Sequence, residues 1–173
     1  PETRKKKKVL GELFPFPDKI MAIGRLDHDS EGLLLLTTDG MKSFQVRDKG
    51  IEKEYYVQVD GKITEDAIYK LQNGVEISVN GSIYLTLPSK AFVLENEPEL
   101  PPRGFKIRDA RHGPTSWISI TICEGKNRQI RKMTAAVGFA TLRLVRIRIG
   151  DIHIDSMIAG EVVNLANFDD ALN

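Results

Sequence analysis

The chain has 173 residues, 41% of them hydrophobic, which suits one globular unit with one sizeable core. Lys and Arg number 25 against 24 Asp and Glu, so the overall charge selects no partner class and its distribution along the chain carries the information. A single cysteine excludes an intramolecular disulfide and a cysteine-rich zinc site; with no apolar run near the ~18 residues of a membrane span and no signal-peptide core, a soluble cytoplasmic protein is expected.

In chain order, residues 4–8 are Arg-Lys-Lys-Lys-Lys, a basic run that fits either a solvated end or an arm laid on a polyanion. Short apolar runs at 20–23 and 33–37 predict buried strands on either side of a polar loop, and Asp39-Gly40 opens a helix to about Arg47. Residues 54–60, Glu-Tyr-Tyr-Val-Gln-Val-Asp, predict a strand that Gly61 ends. Thr64 is a candidate N-cap for a helix with Ala67, Ile68 and Leu71 inward and a stop at Asn73-Gly74. Asn80-Gly81 predicts a hairpin turn between strands at 75–79 and 83–87. Residues 95–116 hold four of the eight prolines and predict a long exposed connection.

The run 115–123 alternates as a strand, and 126–137 predicts a helix with Ile130, Met133 and Val137 inward. In the strand expected at 141–149, Val145, Ile147 and Ile149 share one face, so the Arg146 and Arg148 face should stay solvated or meet a ligand. Helices and strands interleave, and several strands are joined by turns too short for a parallel crossover. The expected class is therefore α+β, with a mixed, mostly antiparallel sheet flanked by helices.

Charge is segregated. Residues 103–148 carry eleven Lys or Arg against Asp109 and Glu124, whereas the chain beyond Gly150 has acids and no Lys or Arg. Phosphate contacts need local rather than net charge, so such a block suits a polyanion-binding face; it also fits a solvated surface.

The loop Gly24-Arg-Leu-Asp27-His-Asp-Ser30-Glu-Gly32 admits three chemistries. A calcium loop counted from Asp27 needs a bidentate acid at its twelfth position, where Thr38 stands. A magnesium-dependent Asp nucleophile needs further carboxylates and no adjacent cation, but Arg25 is adjacent and no later acidic cluster completes the site. A metal-free Asp needs a fixed positive partner, for which Arg25 and the pair Arg128 and Arg131 are candidates. The same arginines also fit a solvent-facing helix flank.

That loop and the following Leu-Leu-Leu-Leu-Thr resemble the GRLD-x-x-[TS]-x-G-L-L-L-[LV]-T signature of the RsuA-type RNA pseudouridine synthases. Three later stretches are similar to that family in the same order: Lys53-Glu-Tyr55-Tyr-Val57, Glu124-Gly-Lys-Asn-Arg-Gln-Ile-Arg131, and Leu142-Arg-Leu-Val-Arg146-Ile-Arg-Ile-Gly150. Pro114-Thr-Ser-Trp117 and the run 133–144 look most like the subgroup acting on one uridine in domain V of 23S rRNA, which lacks a separate S4-like module.

The resemblance implies the pseudouridine synthase fold and an isomerase that flips a uridine into a pocket. It implies Asp27 as nucleophile, Tyr55 against the uracil, and Arg131 as ion-pair partner of Asp27. RNA contacts are expected at Arg25, Lys53, Lys126, Asn127, Arg128 and Arg146; Asp29 reads as a loop or cap residue. The expected partner is 23S rRNA, bound by a monomer with no metal, no cofactor, no protein partner and no membrane association. A departure is the family's opening strand and Asn-Lys-Pro turn, which are not legible ahead of the loop; no S4-like module is legible either. The competing expectation is a non-catalytic RNA-binding or ribosome-assembly module.

Overall fold

The computed structural model describes residues 9–103, 110–166 and 172. The basic run at 4–8 and the centre of the basic connection, 104–109, lie outside them. In chain order the strands and helices are β1 (Met21–Ile23), β2 (Glu31–Gly32), β3 (Leu35–Thr37), α1 (Gly40–Asp48), β4 (Lys53–Asp60), α2 (Glu65–Asn73), β5 (Glu76–Val79), β6 (Ser82–Leu85), β7 (Lys90–Val93), β8 (Thr115–Ile122), α3 (Gln129–Ala136), β9 (Thr141–Ile149) and β10 (Ile152–His153).

The central sheet has the order β10-β9-β4-β8-β7, every pair antiparallel, with β2 added in parallel to β9. Strands β1 and β3 form a separate antiparallel pair, and β5 and β6 form a hairpin. This is the expected α+β class with a mixed, mostly antiparallel sheet. The hairpin turns at Asn80 and Gly81, both at positive φ (51° and 80°), as an Asn-Gly two-residue turn requires. The local signals for helices also hold. Asp39 Oδ1 accepts the Met41 N–H at 2.9 Å at the start of α1, and Thr64 Oγ1 accepts the Ala67 N–H at 3.2 Å at the start of α2.

The main core lies where β4 and β8 meet α2 and α3. Val57, Val59, Ile118 and Ile120 pack there with Ala67, Leu71, Ile130 and Met133. A second cluster, Ile23, Leu33, Leu35, Ile51 and Ile149, supports the loop between β1 and β3 from beneath.

Three features depart from the expectations. Strand β7 pairs with β8 through a stretch with no visible alternation, because only Ala91 of its four residues is buried. Helix α3 begins at Gln129 rather than 126: Gln129 Oε1 accepts the Lys126 N–H at 2.9 Å, and Arg128 takes a left-handed backbone (φ 51°) before the first helical turn. The charged face of β9 is neither solvated nor open. Irregularities in the β4–β9 register let Val145, Arg146 and Ile147 all be buried. Arg148 is paired with Glu54 (2.9 Å) and Glu52 (3.2 Å). No helix among the described residues is long and apolar enough to cross a membrane.

Candidate active site

The loop from Gly24 to Gly32 is held at both ends by one residue of β9. The main chain of Arg146 accepts the Leu33 N–H at 2.9 Å. Its guanidinium donates to the Leu33 carbonyl from Nε (2.8 Å) and Nη2 (2.6 Å), and to the Arg25 carbonyl from Nη1 (3.4 Å). Gly32 makes this approach feasible. It sits at φ +107°, and a Cβ there would lie 2.2 Å from the Arg146 carbonyl oxygen.

The middle of the loop is a turn in which the Ser30 N–H donates to the Asp27 carbonyl at 2.9 Å. Three more arginines close on it, two from the start of α3 and its cap and one from the segment just before residue 104. Arg131 Nη2 donates to the Asp29 carbonyl at 2.7 Å and to Ser30 Oγ at 3.3 Å, and Arg103 Nη2 reaches the same carbonyl at 3.3 Å. Arg128 grips the Asp29 carboxylate with both terminal nitrogens, each at 2.9 Å. Its Nη1 also lies 3.7 Å from Asp27 Oδ2. Glu31, the third acid of the loop, is also gripped at two points, by Arg143 Nε and Nη2, each at 3.0 Å.

These contacts shift the charged groups. The Arg128 fork, strengthened by the Arg131 charge, holds the Asp29 carboxyl down at about 2 against partial burial. Burial works against the Arg131 cation, with Asp29 and then Asp27 among the charges that counter it. Lys53 is lowered by burial and then by the charge of Arg146; its Nζ donates to the Ile51 carbonyl at 3.1 Å.

The structure brings Asp27, Arg128, Arg131 and Arg146 together. Tyr55 is half-buried on β4, directly across from Arg146 in the register and packed against the main core. Cross-strand partners project to the same face, so the phenol and this guanidinium are neighbours on the site side of the sheet. Lys53 shares that face by period two. Arg25 and Asn127 are exposed, and the Lys126 ammonium lies 4.8 Å above the Tyr84 ring at the turn before α3.

The pairing differs from the expected one. Arg128 rather than Arg131 stands next to the Asp27 carboxylate, and Arg131 spends its hydrogen bonds on the Asp29 carbonyl and Ser30. Asp29 is a centre of arginine contacts rather than a bare loop residue. Arg103, Glu31 and Arg143 were not singled out by their spacing. The signal was the block 103–148 itself, cation-rich and almost free of acids, against a loop with acids at 27, 29 and 31.

Chemically, the site offers a half-buried carboxylate on a loop immobilised through its carbonyls and a guanidinium within ion-pair reach, with Tyr55 opposite Arg146 on the neighbouring strand. Such an arrangement suits attack on, or proton exchange with, a base delivered by a polyanion.

The RNA pseudouridylate synthase family profile matches residues 3–136. A protein of Vibrio parahaemolyticus named ribosomal large subunit pseudouridine synthase E is 44% identical over 158 residues, which are 90% of this chain and 63% of that protein. One of the same name from Xanthomonas axonopodis pv. citri is 42% identical over 153 residues, 87% of this chain and 78% of its own length. A solved structure described as a pseudouridylate synthase superposes with a TM-score of 0.70 at 29% identity, covering 88% of this chain and 59% of the other.

Proposed function

The chain belongs to the RNA pseudouridylate synthase family, and from that premise we propose that it isomerises one uridine of 23S rRNA, in domain V, to pseudouridine in the cytoplasm. The names of its relatives support a large-subunit rRNA substrate. The observation that carries the reading is Asp27 Oδ2 at 3.7 Å from Arg128 Nη1, on a loop held by Arg146, Arg131 and Arg103.

Uridine and pseudouridine are isomers, so the bond from ribose to N1 breaks and one to C5 forms with no net gain of atoms. N1 gains a proton and C5 loses one, which requires proton movement and no redox partner. Asp27 is the nucleophile or the proton acceptor of this exchange, and Tyr55 lies against the uracil and assists the proton transfer. Arg128 and Arg131 supply positive charge to Asp27, the first at ion-pair distance and the second at longer range. The base cannot turn over while stacked, so the nucleotide is flipped, and Arg25, Lys53, Lys126, Asn127 and Arg128 line or flank its path, whereas Arg146, expected on the RNA, is buried and holds the loop instead.

The test is pseudouridine mapping on 23S rRNA from a strain lacking the protein, treated with wild-type or Asp27→Asn chain. The wild type should introduce one pseudouridine in domain V, and the variant none at a rate within several orders of magnitude. Equal modification by both would remove Asp27 from the chemistry.

A further inference from the structure

Asp29 has no task in the reaction described, yet it gathers three of the arginines around the loop. Its carbonyl is fixed by Arg131 at 2.7 Å and Arg103 at 3.3 Å, and its carboxylate takes both prongs of Arg128 at 2.9 Å. The decisive atom is Arg128 Nη1, which serves two carboxylates: Asp29 Oδ1 at 2.9 Å and Asp27 Oδ2 at 3.7 Å. The fork of parallel donors between the two terminal nitrogens, which carries Nη1, is occupied by Asp29.

Two alternatives to this arrangement are unproductive. Arg128 is 42% exposed, so without an anchor its long side chain would sample many rotamers and leave Asp27 without a fixed cation. Paired directly and bidentately with Asp27, the same fork would cap both carboxylate oxygens, including the one that attacks or takes the proton. Asp29 prevents both. It cannot drift, because its own carbonyl is held by arginines from two other segments.

We propose, resting on the uridine-isomerase reading above, that Asp29 is a positioning residue that occupies the Arg128 fork and so presents the guanidinium to Asp27 at ion-pair distance without capping the nucleophile. Its loss therefore lowers turnover and leaves RNA affinity intact, or raises it by freeing a cation for phosphate.

The experiment measures single-turnover rate at saturating 23S rRNA and RNA affinity for wild type, Asp29→Asn, Asp29→Glu, Arg128→Ala and the Asp29→Asn/Arg128→Ala pair. Asp29→Asn should slow the rate at least about ten-fold with affinity unchanged or tighter, and Asp29→Glu, which keeps the fork, should recover most of it. The pair should be no slower than Arg128→Ala alone, since Asp29 acts through Arg128. An unaltered rate in Asp29→Asn, or losses that multiply in the pair, overturns the proposal.

Nitrogen-15 NMR of the Arg128 guanidinium supplies a readout independent of catalysis. Rotation about its Cζ–Nε bond should be hindered in the wild type and fast in Asp29→Asn; free rotation in the wild type overturns the proposal. A wild-type chain that makes no pseudouridine strikes the isomerase reading alone, and the NMR comparison then still decides whether Asp29 fixes Arg128.

Discussion

Gly32 and Arg146 form the pair on which the position of the loop depends. A backbone at φ +107° is costly for any L-residue with a side chain, and the missing Cβ lets β2 lie against β9. Gly32→Ala must push the Arg146 carbonyl away from 2.2 Å, which breaks the Leu33 N–H bond and loosens the guanidinium clamp. A loss of about 2–4 kcal/mol in urea-unfolding stability is expected, together with a large fall in turnover. Arg146 shows the limit of period-two reasoning. Alternation placed it on a charged face, but all three of its guanidinium nitrogens donate to loop carbonyls, so it is buried while hydrogen-bonded.

At the scale of elements, Glu124 joins the β5–β6 hairpin to the start of α3. It accepts from the Tyr84 hydroxyl (2.5 Å), the Leu87 N–H (2.9 Å) and the buried Gln129 amide (2.6 Å). The Tyr84 phenol is pushed up by that hydrogen bond. Because Gln129 also binds back to Lys126, the turn carrying Lys126, Asn127 and Arg128 takes its shape from this carboxylate. Glu124→Ala strands the Gln129 amide in the interior and should cost about 1–3 kcal/mol. Faster amide exchange in the first turn of α3 than in α2 would locate the damage. The helix itself was legible from Ile130 and Met133, but its first residue was not: side-chain bonds to the backbone compete with helical ones and shift the start to Gln129.

Over the whole molecule, the acidic loop sits inside a shell of cations drawn from the approach to residue 104, α3 and β9. The cations nearest Asp29 and Glu31 are engaged, whereas Lys126 lies at the edge of the site, over Tyr84. Lys126→Ala should therefore weaken rRNA binding and reduce the slope of log affinity against log salt by about 1, leaving the rate at saturating RNA unchanged. Titration at several salt concentrations checks it. A fall in the saturated rate would instead place Lys126 in the chemistry.

The sequence by itself determined the local elements: the Thr64 cap, the Asn80-Gly81 turn, the apolar faces of α2 and α3, and the GRLD loop between two short strands. Each depends on residues a few positions apart, where helical or strand period and turn chemistry act directly. Only the tertiary structure decided which arginine meets which acid. The Arg128–Asp29 and Arg131–Asp29 contacts join residues about a hundred positions apart. They exist because β2 lies parallel to β9 and α3 packs beside it. Nothing in the spacing of a chain ranks several arginines for one carboxylate, since that choice follows from distances that only packing creates.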